Sequence, residues 1–500
     1  MNTPKKQQAN LKVVALAVAA ACLSLPLASN AAIDNDLLEL LLKKGILTQE
    51  EYDAQKEKAE NKEFILKRLS DNDDKRKKAE EKAVKDKEAN SFEFYGILDV
   101  MLGSVQHGFT PSASFPGSVN PLSVISKSDP YRNVSGMFNG GMQSSRWGLR
   151  GSRELGSGVR GFFTLESGFN LPTGQINNGL TELQANGSTK NAMSSNTSLN
   201  GQLFGRQAFV GLSDQEYGSI AFGRQYNQIY DVFTTYDPVH KSDLLSPFGF
   251  SGTLGGGGGV SESSRLDNSI KYKNKAGSIN YGALYAIGGV EGIKDANSGY
   301  NLNIGYEEGR VGVQFVYENM KNVIKTDKNS NSSGSITSFN TVAVTNYDTE
   351  AYLLAGKYQL TDALTVKGGY EHYILKKPST ALSVAALPTY FGIPVGAASG
   401  YSHDNQSVGI PYVGGDYKFS PKLNLAAGYY QQNIGAISDQ NRPSGTVRTV
   451  SLLADYFFDK QTDVYAGLMW SAYSGQQGSL ASGNYVKSNA IYGAGLRYKF

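Results

Sequence analysis

Cysteine is almost missing from this 500-residue chain: Cys22 is the only one, and it lies in a leader-like segment. The rest of the sequence therefore excludes disulfides, thiolate metal sites and cysteine nucleophiles. Long apolar runs are missing too. After residue 32 nothing approaches the roughly 18 consecutive apolar residues that a membrane-spanning helix needs. An excess of one charge is also absent. Residues 1–31 carry three of the 48 basic residues and none of the 45 acidic ones, so the remainder is balanced. That balance gives no global footprint for nucleic acid or a polybasic membrane contact. The four histidines, His107, His240, His372 and His403, are far apart and fit neither metal-ligand spacing nor a nucleophile–base arrangement. No cofactor and no catalytic set is expected. The five glycines at 255–259 lack the lysine–threonine pair and helix start of a phosphate cradle, and read as a flexible loop tip.

What is present divides into three stretches. Residues 1–31 read as a secretory signal peptide. Lys5, Lys6 and Lys12 precede an apolar stretch at 13–21, Pro26 breaks it, and Ser29, Asn30 and Ala31 suit cleavage after Ala31. Residues 32–90 are a charged segment, with 14 basic and 16 acidic side chains between 33 and 90. Leu37, Leu38, Leu41 and Leu42 form a helical stripe, Gly45 ends it, and Thr48 with Glu51 forms a capping box for a second helix. A periplasmic helical stalk that touches the cell-wall layer and a flexible spacer both fit this composition. From 91 to 500 charge thins, while glycine and tyrosine rise to a chain total of 57 and 30.

The last stretch alternates by parity. At its end Ala490, Tyr492, Ala494, Leu496, Tyr498 and Phe500 share one face, and Gly493, Gly495, Arg497 and Lys499 the other. Sixteen such segments are predicted: 92–103, 143–153, 158–168, 203–213, 218–226, 265–274, 277–288, 298–307, 310–320, 349–360, 362–376, 408–419, 421–433, 446–458, 461–474 and 489–500. Short and long connections largely alternate between them. This is the pattern of an all-β, 16-stranded antiparallel transmembrane barrel, closed so that no edge is left, with tight turns at one rim and long loops at the other.

Parity also assigns faces, because an arginine against lipid near the midplane costs roughly 2–4 kcal/mol. Arg146 and Arg150 must then face water while Trp147 and Leu149 face lipid. By the same reasoning Thr164 and Glu166 line the lumen opposite Phe163 and Leu165. Arg265, Asp267, Ser269 and Lys271 line it opposite Ile270 and Tyr272. Arg206 goes inside on the same cost. Arg224 shares parity with Ile220 and Phe222, so its face stays open. Each luminal charge could equally be a salt-bridge residue away from the narrowest point.

The runs at 144–151 (SSRWGLRG), 154–156 (ELG), 165–169 (LESGF), 204–212 (FGRQAFVGL), 222–226 (FGRQY) and 265–272 (RLDNSIKY), with the terminal phenylalanine, resemble the general porins of Gram-negative outer membranes, those of β-proteobacteria in particular. The likeness is mostly pattern between 289 and 488, and it does not extend to 33–90. It implies a homotrimer in outer-membrane lipid, a third loop folded into the barrel, and recognition of Phe500 by the barrel assembly machinery. It also implies that Arg146, Arg206 and Arg265 stand at a constriction wall, with Arg150 and Glu166 nearby. The opposing acids would come from loop three, 227–264, which offers Asp231, Asp237 and Asp243, plus Glu262 near its end, and also carries His240 and Lys241; its run Ser246, Pro247, Phe248, Gly249 and Phe250 would pack it against the wall. The expected function is passive diffusion of small hydrophilic solutes and ions with a weak preference for anions. The alternatives are a substrate-specific channel, or an envelope tether through 33–90 with incidental conductance.

Overall fold

The structure is a computed structural model. It describes residues 90–106, 134–176, 193–194, 203–249, 264–289, 295–327, 342–390, 393–402, 404–435, 444–475 and 487–500, with residues 39, 42–43, 48–50, 52–54 and 56. Residues 1–31, expected as a leader, Glu51 of the expected capping box, most of 33–90, Phe250, the glycine run at 255–259 and Glu262 lie outside the described residues. The chain divides into two units, Met1–Lys87 and Glu88–Phe500. In the first, the described residues are helical apart from Thr48. The Tyr52 amide donates to the Thr48 carbonyl at 3.0 Å, and Glu39 and Lys43 pair one turn apart at 3.8 Å.

The second unit is a closed sheet. Its barrel strands are β1 (Asn90–Gln106), β2 (Arg146–Gly156), β3 (Val159–Asn170), β4 (Gln207–Asp214), β5 (Gly218–Tyr226), β6 (Arg265–Ala276), β7 (Ile279–Ile287), β8 (Ser298–Glu308), β9 (Val311–Asp327), β10 (Val342–Gln359), β11 (Leu364–Lys376), β12 (Gln406–Lys418), β13 (Leu423–Ile434), β14 (Gly445–Phe457), β15 (Thr462–Gly475) and β16 (Ser488–Lys499). Each pairs antiparallel with the next. β16 then pairs with β1 and closes the ring. Closure satisfies every strand edge, which an apolar bilayer demands. The main chain of Phe500 exchanges hydrogen bonds with Gly96 at 2.9 and 3.1 Å. A Cβ at Gly96 would lie 2.3 Å from the Phe500 ring, so only glycine fits there.

Polarity is inverted relative to a water-soluble core. Phe92, Phe94, Leu102, Val210, Phe222, Ile304, Leu354, Val413, Leu452, Trp470 and Leu496 are exposed on the outside, while Asp99, Glu318, Glu371, Asp416, Asp455, Asp463 and Arg497 are buried within. The tight turns and both barrel ends share one rim. Two of these turns hold a single glycine in the left-handed region, Gly277 at φ +60° and Gly309 at φ +55°.

Strand limits depart from expectation where loops extend them. β9 and β10 run on to Asp327 and back to Val342, past a register irregularity between Met320 and Val323. β4 starts at Gln207, so Arg206 stands just ahead of the strand predicted to hold it. Ahead of β2, Val134–Asn139 also pairs with β1, and the chain between the two bends inward at 140–145. Loop three enters the barrel through helix α1 (Gln228–Tyr236). Asn227 caps it, its side chain accepting the Tyr230 amide at 2.7 Å. The buried face of α1, Ile229, Val232, Phe233 and Tyr236, joins the cluster that lines the inner wall.

Candidate functional site

Glu166 on β3 is the hub of one side of the lumen. It accepts from the Tyr95 hydroxyl at 3.0 Å and from Arg206 Nε at 2.8 Å, and Arg146 Nε lies 3.4 Å away. Arg206 also donates to the Tyr226 hydroxyl at 2.6 Å, and Arg265 sits 4.9 Å from the centre of the same ring. Arg146, Arg206, Arg265 and Glu166 are thus brought together. One carboxylate among three guanidiniums leaves positive charge in excess, and that charge persists at any accessible pH. Arg150 does not join them. It is luminal but pairs with Glu93 at 2.7 Å over Tyr95, half exposed, further along the wall.

The loop acids depart from the expected row facing the arginines. Asp231, on α1, meets lysines: Lys271 and Lys273 both approach its Oδ2 at 2.6 Å. Burial opposes its charge, yet the two ammonium groups outweigh that and hold its carboxyl below the usual range. Asp237 is fully buried and faces no channel. It accepts the Tyr430 hydroxyl at 2.6 Å and the Lys241 amide, and serves as an anchor. Asp243 accepts from Ser144, and its amide donates to the Met142 carbonyl at 3.1 Å, so it docks the loop on the inward bend. No loop acid pairs with a wall arginine among the described residues. The reason is steric: α1 lies along the wall and presents its one channel-side acid to β6, and the next two acids are spent on docking.

One parity assignment also fails. Two residues of β5 span three of β6, with Gly223 opposite Ser269 and Gln225 opposite Leu266, and Asn268 takes φ +49°. The bulge uncouples both Arg265 and Asp267 from the alternation of Ser269 and Lys271. Asp267 pairs instead with Arg224 at 2.6 Å.

Four residues had no role assigned from sequence. Asp99, fully buried on β1, accepts the amides of Gly141, Met142 and Gln143 at 3.0, 3.2 and 2.8 Å, and the Tyr465 hydroxyl, and so shapes the bend that receives the loop. Its signal was an acid at the parity of Glu93 within the apolar stretch 97–102. Tyr430 is signalled by nothing local. His240 sits 3.5 Å from both Lys367 Nζ and Asn424 Nδ2. Burial, then the Lys367 charge, push it down to about 4 against the pull of Asp416. Lys241 follows it, with Nζ 3.9 Å from the Tyr230 ring centre. Among the described residues no His/Cys/Asp/Glu group could hold a metal ion.

The chain matches the sequence profile of the Gram-negative porins over residues 78–476. An outer membrane porin protein of Bordetella pertussis is 30% identical over 210 residues, 42% of this chain and 45% of that relative. The match therefore spans less than half of that curated relative. Among solved structures, the anion-selective porin from Comamonas acidovorans is similar at a TM-score of 0.54 and 15% identity, over 82% of this chain and 100% of that one. OmpT of Vibrio cholerae in its trimer form is similar at 0.50 and 17%, over 82% and 100%. At such identities the structural likeness speaks for the fold alone.

Proposed function

This chain belongs to the Gram-negative porin family, and from that premise we propose that it is an outer-membrane channel for passive diffusion of small hydrophilic solutes and ions, with a preference for anions. The observation that carries the reading is a closed barrel, apolar outside and polar within, whose lumen is narrowed by loop three beside a wall of excess positive charge. Solutes cross without chemistry or energy coupling. Low local dielectric and converging cations attract anions and slow cations. By analogy with the anion-selective porin and the trimeric form of OmpT, whose fold this chain shares, anion preference and a homotrimer are part of the proposal. Cleavage after Ala31, a periplasmic stalk or spacer at 32–90 in contact with the cell wall, and delivery by the barrel assembly machinery through Phe500 complete the proposal. Reversal potentials in planar bilayers under a salt gradient test it: current with an anion-side potential is expected, and a cation-side potential would refute the selectivity.

A further inference from the structure

We propose that Lys241 is a specificity-determining residue of the channel, a cation carried by loop three that shares one aromatic stack with the wall arginines and supplies a pH-dependent part of the anion preference. The inference rests on the reading of this chain as an ion channel.

The stack is built from two elements. Tyr226 ends β5 and Tyr230 lies on α1; their rings are 4.0 Å apart and within 7° of parallel. Arg265 and Arg206 lie 4.9 and 5.9 Å from the centre of the Tyr226 ring. Lys241 Nζ lies 3.9 Å from the centre of the Tyr230 ring, whose other face Tyr226 covers. Aromatic faces carry partial negative charge, so the pair holds cations at both ends and brings like charges into one small region. The loop thereby adds a positive charge where a negative one was expected.

The neighbouring acids counter its charge from a distance and do not pair with it. No carboxylate of the described residues lies within ion-pair distance of Lys241 Nζ. Asp237 is taken up by the Lys241 amide and Tyr430, and Asp243 by Ser144. Asp231 is held by Lys271 and Lys273. The groups acting on Lys241 are therefore Tyr226 of β5, Arg265 of β6, Tyr230 of α1, and Asp237 and Asp243 of the loop. Burial pushes its ammonium down to about 8, with Asp243, Tyr226 and Asp237 opposing and Arg265 adding to the fall. The wall arginines keep their charge throughout, so Lys241 can lose its contribution at mildly alkaline pH while theirs remains.

The test is the anion-to-cation permeability ratio in a potassium chloride gradient, for the full chain and the variants K241Q, K241M and K241R. At pH 6, K241Q and K241M are expected to lower the ratio about three-fold, with K241R near wild type. From pH 6 to 9.5 the wild-type ratio should fall by a similar factor, and K241R should fall less. An unchanged ratio in K241Q and K241M, or a K241R decline as steep as the wild type's, overturns the proposal. A wild-type protein that passes no current overturns the channel reading itself, and with it this inference.

Discussion

Two stretches of the inner wall meet loop three in opposite ways. Along β12 to β15 the contact is greasy and close. Phe248 stacks on Phe233 at 4.0 Å and meets Tyr412 and Tyr430 edge-on at 4.9 and 5.3 Å. Gly414 and Gly467 leave room there: an added Cβ would lie 2.7 Å from Pro238 and 2.3 Å from Leu245. Along β2 to β6 the contact is charged, through Asp231 with Lys271 and Lys273, and through Lys241 and the tyrosine pair beside the arginines. On the proposed reading, holding the loop falls mainly to β12 to β15 and selecting the solute to β2 to β6, although Asp243 also docks the loop on the bend before β2. Burial and close packing fix the loop where no ion needs to be sensed. On the other side the buried charges are paired or stacked, Arg206 with Glu166, Asp231 with Lys271 and Lys273, and Lys241 on the Tyr230 ring.

The largest expected effect is on the charged side. Replacing Arg146 and Arg265 by serine together should move the reversal potential toward the cation side by more than ~20 mV in a tenfold gradient, where ideal selectivity is about 59 mV. Loop docking should survive, so conductance noise should not rise. F248A breaks the other side. Losing a buried phenylalanine typically costs about 3–5 kcal/mol, so conductance and open-channel noise should rise and the unfolding midpoint should fall. Selectivity should change little; if it changed as much as in the arginine variant, the two tasks would not be separate.

A third effect is acid-dependent. Docked His240 stays neutral down to about 4, whereas a free histidine titrates near 6.5. Between those values the released loop binds the extra proton, so docking is weakened as pH falls through that window and changes no further below it. The loss should be on the order of 1–3 kcal/mol, read as rising channel noise from pH 7 to 4 and absent in H240Q. The smallest effect is at Arg150. Its half-exposed pair with Glu93 is worth no more than about 1 kcal/mol, so R150Q should leave both stability and reversal potential near wild type.

The barrel was legible because lipid forces alternation on every spanning segment, and a glycine or a short polar turn marks each tight connection. Limits failed where that constraint ends. Beyond the lipid zone β9 and β10 continue with no alternation to mark them, and the Asn268 bulge is invisible to a parity count. Cost alone argued against placing Arg146, Arg206 and Arg265 on lipid, and the structure gathers them around Glu166 and Tyr226, although the bulge breaks the parity count used for Arg265. The roles of Asp231, Asp237 and Asp243 were not, because all three are acids of one loop with similar local sequence. What separates them is distant in the chain: Tyr430 reaches Asp237 across 193 residues, and Ser144 reaches Asp243 across 99. Lys241 was in view as a loop lysine, but nothing in sequence places Tyr230 on Tyr226.

Recording from the purified, detergent-solubilised protein reconstituted in a planar bilayer examines the closed, water-filled barrel most directly. Discrete ohmic current steps, with a zero-current potential on the anion side of a salt gradient, are expected. Protein that inserts into the bilayer yet passes no current would contradict the barrel with an open, charged lumen.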